Sequence, residues 1–147
     1  MQQKNLEPEE IRNFRALAGV IIPKSDTYQV PGADDDAIFA EILKSLERDV
    51  DDVRRALTNL ASLCDRPFAD LEPPRRRDVA EKLHAGGGSA LSSLVRVVLL
   101  CYYRDDRVMN SLGQEPRAPF PKGHTVEQGD WSLLEPVRKR KPMYRQP

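Results

Sequence analysis

The residue types that do chemistry in most active sites are sparse in this chain, and their spacing argues against a constructed centre. His84 and His124 are the two histidines. They stand far apart in sequence, and neither sits in a metal-ligand or nucleophile motif, so a structural or exposed role fits each better than catalysis. Cys64 and Cys101 both fall on apolar helical faces, where cysteine behaves as a small buried hydrophobe instead of a thiolate or a ligand. They suggest neither a disulfide framework nor a metal site, and a reducing compartment suits them. Asp34, Asp35 and Asp36 offer carboxylates, but a calcium loop needs alternating oxygen ligands and a distal glutamate. The run therefore reads as a helix N-cap with favourable charge at the positive end of the helix dipole. Gly86, Gly87 and Gly88 precede a helix, where glycine-rich turns cradle phosphate. This stretch follows a helix instead of a strand and has no Lys-Ser/Thr after it, which makes it a chain reversal and C-cap. Two basic runs remain. Arg75, Arg76 and Arg77 read as a solvated face, with an acidic patch on another chain as the alternative. Arg138, Lys139, Arg140 and Lys141 read as a solvated or partner-facing cluster.

The elements that would have to position any such groups are helices. Pro8 followed by Glu9 and Glu10 opens a helix, because proline in the first turn loses no needed N–H and acids suit that end. Ile11, Phe14, Leu17, Ala18 and Ile21 recur at three and four residues and predict a helix over 8–22, stopped by Pro23. An ordered loop over 24–36 is punctuated by Pro31 and Gly32. Ile38, Phe39, Ile42, Leu43 and Leu46 then mark an amphipathic helix. Another follows over 49–63, with Val53, Leu57, Leu60 and Cys64 inward and Asp51, Asp52, Arg54 and Arg55 outward. Pro73 and Pro74 open a shorter helix through Val79, Ala80 and Leu83.

The stretch 89–104, SALSSLVRVVLLCYYR, is apolar on almost every face, with Leu91, Val95, Val98 and Tyr102 on one stripe and Leu94, Val97 and Cys101 on another. A helix apolar all round belongs inside. Its sixteen residues make a rod of about 24 Å, too short for a bilayer and long enough to organise a small helical body. The regular pattern stops after it, so the expected organisation is a helical body over 1–113 and a tail over 114–147. No alternating apolar pattern argues for a sheet. The fold expected is all-α, a small bundle around the 89–104 helix with a long extended Pro-rich C-terminal tail.

That tail holds six of the twelve prolines, so no long helix is available there. It also carries Phe120, Val126, Trp131, Leu133, Leu134, Val137, Met143 and Tyr144, residues in which disordered linkers are poor. Thirty-four extended residues reach roughly 100 Å, and apolar anchors spaced along such a length describe a strap laid over another surface. Phe120, Trp131, Leu134, Met143 and Tyr144 are its expected partner-binding side chains. Wrapping on its own helical body is the alternative.

At 147 residues the chain is long enough to bury a real core. Lys plus Arg and Asp plus Glu are 23 each, so net charge is zero and the overall field gives no argument for nucleic acid or membrane. The tail carries seven basic and four acidic residues, making it +3 and the body −3. No apolar run reaches transmembrane length, and MQQKNLEPEE shows neither a secretory h-region nor a twin-arginine pair. The expected location is cytoplasmic, with the periplasm as the alternative for a chain exported with a partner.

The order of several short motifs resembles one family. Phe14-Arg15-Ala16-Leu17-Ala18-Gly19-Val20-Ile21-Ile22-Pro23, then Pro31-Gly32-Ala33 and an amphipathic helix, then Tyr102-Tyr103 followed by Val108-Met109-Asn110-Ser111-Leu112-Gly113, is similar to the gluconate 2-dehydrogenase subunit 3 family over most of the chain. Two departures stand out. Members often read Gly-Tyr-Tyr-Thr where this chain has Cys101-Tyr102-Tyr103-Arg104, and many carry a twin-arginine signal. The resemblance implies a non-catalytic small subunit with no cofactor of its own. Its partner would be a large flavoprotein of the glucose-methanol-choline oxidoreductase superfamily, carrying FAD and oxidising sugar or polyol hydroxyls; some such assemblies add a multihaem cytochrome c. The readings that compete with it are a self-contained small helical enzyme using His84 or His124 with nearby carboxylates, and a nucleic-acid-binding regulator using the two basic runs.

Overall fold

A computed structural model describes residues 5–118, 120–123 and 125–141. Among these residues the chain is all-helical, with seven α-helices: α1 (Pro8–Ile21), α2 (Asp36–Lys44), α3 (Val50–Ser62), α4 (Pro73–Gly86), α5 (Ser89–Tyr102), α6 (Asp106–Ser111) and α7 (Glu135–Arg138). The one extended pairing among them is an isolated antiparallel bridge between Ser25 and Val30. The chain divides into two compact units, Met1–Pro116 and Arg117–Pro147; α1 to α6 lie in the first and α7 in the second. No helix among the described residues is long and apolar enough to cross a membrane.

The first unit is built on helices whose starts and stops are written locally. In α1, Pro8 occupies the first turn and the Glu7 backbone N–H donates to the Glu10 carboxylate at 2.8 Å, so an otherwise orphaned donor is satisfied. Phe14, Leu17 and Ala18 face inward and are buried. Asn13 is buried beside them, and its Oδ1 accepts the Ala69 N–H at 3.0 Å, which offsets the cost of placing an amide in the core. The α2 helix begins on Asp35, whose carboxylate accepts from the N–H groups of Ala37 and Ile38 at 3.1 and 3.4 Å. Phe39 from α2 meets Phe14 from α1 edge to face at 5.5 Å, the favoured aromatic geometry.

The apolar periodicity predicts α2 as running through Leu46, but the helix ends at Lys44. Leu46 is nonetheless buried, because the chain goes directly into a 3-10 turn, Glu47–Asp49, that leads into α3. The spacing identified the correct inward residue on the wrong element.

Helices α3 and α5 run antiparallel as the most extensive pairing in the unit. Val53, Ala56, Leu57 and Leu60 of α3 are buried, as are Leu91, Leu94, Val97, Val98, Cys101 and Tyr102 of α5. Two polar links fix the register: Ser93 donates to Asp52 at 2.9 Å, and Arg96 donates to Asp49 at 2.7 Å. The α5 helix is not enclosed on all sides. Leu99 and Leu100 are exposed, as is Tyr103 just past the helix end, so its all-round apolarity does not translate into all-round burial.

Between α4 and α5 the chain reverses through Gly87 at φ 61° and Gly88 at φ 105°, left-handed conformations that a Cβ would strain. Beyond α5 the sequence pattern gives no helix, yet α6 forms. Asp105 caps it by accepting the Arg107 N–H at 2.9 Å, and Val108 is its one buried residue. Six residues with a single inward side chain leave no periodicity to detect.

Candidate interaction surface

The partner-binding side chains expected from sequence lie in the second unit. Among them Phe120 is 86% exposed, Trp131 59% and Leu134 38%; Met143 and Tyr144 lie outside the described residues. Trp131–Leu134 is a 3-10 turn that continues directly into α7. Asp130 starts it by accepting the Ser132 N–H at 2.9 Å, and the hydrogen bonds from Ser132 hold the Asp130 carboxyl below the usual aspartate range. Pro136 stands in the first turn of α7, and Glu135 pairs with Arg138 at 3.6 Å. Trp131 and Leu134, three residues apart, align along the edge of the 3-10 turn, and Val137 follows three residues later in α7. Leu133 and Val137 are exposed as well. Arg138, Lys139, Arg140 and Lys141 follow at once, all exposed, so an apolar edge passes directly into a basic end.

In the first unit, a polar junction gathers segments that are distant in sequence. The Ile22 carbonyl accepts the Ala33 N–H at 2.9 Å, folding the 24–32 loop back on the end of α1. Asp34 lies against two glycines: a Cβ on Gly32 would sit 2.4 Å from Asp34 Oδ1 and 2.9 Å from the Lys24 backbone N, and one on Gly19 would sit 2.8 Å from Asp34 Cγ. Arg15 donates its Nε–H to the Asp34 carbonyl at 2.9 Å and also reaches the Asp36 carboxylate. From α5, the Tyr102 hydroxyl donates to the Pro31 carbonyl at 3.1 Å, and burial pushes that phenol above its ordinary pKa.

Arg107 completes the junction. Its guanidinium donates to both oxygens of Asp35, at 2.7 and 3.2 Å, and to both oxygens of Asp105, at 2.9 and 3.0 Å. Each of these aspartates is also the N-cap of a helix, so one arginine ties the start of α2 to the start of α6. Hydrogen bonds from Arg107 hold both carboxyls below the usual 3.8 of an aspartate, and the two carboxylates raise the arginine in return.

The solvent side of α5 carries Ser92, Arg96, Leu99 and Leu100, and Tyr103 follows the helix on the same side. The Tyr103 ring stands edge to face on buried Tyr102 at 5.2 Å. A separate open groove of about 1180 Å³ has a floor of Leu6, Ile11, Leu43, Leu46 and Val50 and a rim that includes Lys44, Glu47 and Arg48. It brings together no paired acid and base beyond that solvated rim.

The candidate chemical residues are not brought together. His84 is exposed in the last turn of α4, and His124 lies outside the described residues. The Cys64 thiol donates to the Leu60 carbonyl at 3.3 Å, and burial raises its pKa, the opposite of what a nucleophilic thiolate needs. Among the described residues no group of three or more His, Cys, Asp or Glu side chains is placed to hold a metal.

Two features escaped the sequence reading. The Arg107 clamp joins residues 72 apart, and nothing local signals such a pairing. The exposed strip on α5 did leave a signal: Ser92 and Arg96, four residues apart, mark the solvent side, and that side continues over Leu99, Leu100 and Tyr103. No family model, no curated protein and no solved structure matches this chain.

Proposed function

We propose that this chain is a non-catalytic small subunit that binds and stabilises, or helps mature, an FAD-dependent flavoprotein of the glucose-methanol-choline type acting on sugar or polyol hydroxyls. In this reading the helical body is a scaffold around the α5 helix, and the Pro-rich tail from residue 114 is an extended strap. Phe120, Trp131, Leu134, Met143 and Tyr144 bury against the large subunit. FAD and the reacting groups belong to that partner, a cytochrome c subunit belongs only to some assemblies of this type, and the complex works in the cytoplasm, with export as a unit the alternative.

The observation that carries the reading is where the resembling motifs lie. The stretches 14–23, 31–33 and 102–103 lie far apart in sequence yet meet around the Asp34–Asp35 turn, and Arg107, the residue before 108–113, reaches the same turn. Gly19 abuts Asp34, Ile22 holds Ala33, Tyr102 holds Pro31, and Arg107, next to Val108, holds Asp35. Motifs that together form one packing junction support a shared scaffold more strongly than the same motifs scattered would. The exposed edge of Trp131, Leu134 and Val137 supports the strap, because large exposed apolar side chains are the ones that dominate interface energy when buried.

Affinity capture of the full chain expressed with its native neighbours, followed by an absorption spectrum of the eluate, tests this directly. The expected result is a co-eluting large chain with oxidised-flavin bands. Trp131→Ala should weaken that complex about 30-fold, as loss of an aromatic hot spot does, with helicity unchanged. A chain that elutes alone and colourless, or that turns over a substrate by itself, overturns the reading.

A further inference from the structure

We infer that the helical turns over 131–138 and the basic run that follows them form an adsorption surface for an anionic lipid layer. Leu133 and Val137 enter the headgroup region, and Arg138, Lys139, Arg140 and Lys141 lie on the phosphates. The inference goes beyond the accessory-subunit reading and does not rest on it.

The 3-10 turn Trp131–Leu134 continues into α7 without a break, so the two make one short helical rod. Leu133 and Val137, four residues apart, fall on one side of it. They are 73% and 55% exposed. Leu133 stands about 120° around the 3-10 turn from Trp131 and Leu134, so this side is separate from the edge assigned to the large subunit, with Val137 between the two.

Charge identifies what the side meets. From Pro136 onward the sequence holds five cations, Arg138, Lys139, Arg140, Lys141 and Arg145, and no Asp or Glu. Among the described residues Arg138 pairs with Glu135, and Lys139, Arg140 and Lys141 make no ion pair. Residues 1–4, 119, 124 and 142–147 contain no Asp or Glu either, so they have no carboxylate side chain to offer. Asp130 lies at the opposite end of the rod, engaged as its cap. Net charge over the whole chain is zero, and the positive field is therefore local to this run, where salt leaves it a reach of about 8–10 Å.

The geometry favours lipid over other polyanions. Adjacent side chains on a helix point about 100° apart, and the run leaves α7 at Lys139, so four successive cations face different ways. A rigid acidic pocket meets one or two of them. Headgroups that diffuse laterally gather under each, and the long stems of Lys and Arg bend toward them. Nucleic acid would satisfy the cations but not Leu133 and Val137, because single strands are held by stacking on aromatic rings and aliphatic side chains gain nothing there. The headgroup boundary of an anionic bilayer takes aliphatic side chains and cations together. No helix among the described residues is long and apolar enough to cross a membrane, so the contact is with its surface.

The test is co-sedimentation of the full chain with vesicles of phosphatidylcholine alone and of equimolar phosphatidylcholine and phosphatidylglycerol. Binding is expected to the mixed vesicles only, and to fall as salt is raised. Lys139→Gln, Arg140→Gln and Lys141→Gln together should weaken it by about fivefold per cation, about 100-fold in all, and Leu133→Ser by about 10-fold. Both variants should keep the circular dichroism and melting temperature of the wild type, because the altered side chains are exposed. A chain that stays in the supernatant with mixed vesicles, or that binds phosphatidylcholine equally well, overturns the inference, and so does undiminished binding by either variant. Binding to single-stranded DNA as tight as to the vesicles, and unweakened by Leu133→Ser, makes the run a general polyanion site, which refutes the lipid assignment. A several-degree fall in the melting temperature of Leu133→Ser means that the chain covers this side itself, which also refutes it.

Discussion

Replacing Arg107 by alanine is the sharpest test of the polar junction, because one side chain is bonded to the N-cap residues of two helices. The change removes four hydrogen bonds to carboxylates, two on Asp35 and two on Asp105. Charge-assisted hydrogen bonds contribute more than neutral ones, but the arginine side chain is 47% exposed and solvent screens the pairs. The net loss is therefore about 1–2 kcal/mol instead of the sum over four bonds. For a unit of this size that corresponds to a fall of roughly 4–8 °C in melting temperature. Arg107→Lys should recover only part of it, because an ammonium cannot fork across two carboxylates.

The pH dependence carries a definite sign. Both carboxyls titrate lower in the folded chain than their usual 3.8, so as pH falls the unfolded chain takes up these protons first. The stabilisation is complete above the unfolded value and is lost as pH drops through the folded ones. The gap between wild type and Arg107→Ala should accordingly be full at pH 7 and close below about pH 4. Melting followed by circular dichroism from pH 7 to pH 3 measures it. A gap that stays constant over that range, or that widens on acidification, would refute the clamp as the source of the stability.

Two further changes probe the same junction by other physics. Gly32→Ala puts a methyl group 2.9 Å from the Lys24 backbone N as well as against Asp34; the carboxylate can swing away but the backbone cannot. Overpacking of this kind costs about 1–3 kcal/mol, so chemical denaturation should show a lower midpoint, and an unchanged midpoint would mean that the loop yields freely. Tyr102→Phe keeps the ring and removes the donor to the Pro31 carbonyl, a loss of about 1 kcal/mol. Its unfolding free energy should drop by that amount with the α-helical signal intact, and no drop would show that water replaces the hydroxyl.

How much of this was readable in advance follows from the range of each interaction. Helices α1 to α5 were legible because their signals are local: Pro8 and Pro73 at first turns, Asp35 at a cap, Gly87 and Gly88 at a reversal, and apolar residues at three and four. Leu46 shows the limit of that signal, since spacing marks an inward side chain without saying whether the backbone is still helical. Helix α6 offers one buried residue, Val108, and one point has no period. The α5 helix shows the opposite failure. Its all-round apolarity implied burial on every side, but a helix packed on α3 and α2 has only part of its circumference to bury, and Leu99 and Leu100 stay outside whatever their hydropathy. Arg107 was invisible for a third reason, because its partner Asp35 is fixed only by the tertiary fold.

Two proposed docking surfaces on one chain would have a consequence that neither has alone. Trp131 and Leu134 are assigned to the large subunit, and Leu133 with Arg138, Lys139, Arg140 and Lys141 to an anionic lipid layer. All belong to the second unit, and Leu133 stands about 120° around the 3-10 turn from the other two apolar side chains, so the contacts meet only at Val137. A chain that makes both at once would carry the large subunit to the membrane surface. Mixed vesicles should then sediment the purified large subunit only when the chain is present. Trp131→Ala should lower that recruitment about 30-fold while the chain itself still sediments. Lys139→Gln, Arg140→Gln and Lys141→Gln together should do the reverse, leaving the complex intact in solution and releasing both chains from the vesicles. A large subunit that competes with the vesicles for the chain would mean that the two sides overlap, and the joint contact would be wrong even with each surface individually intact.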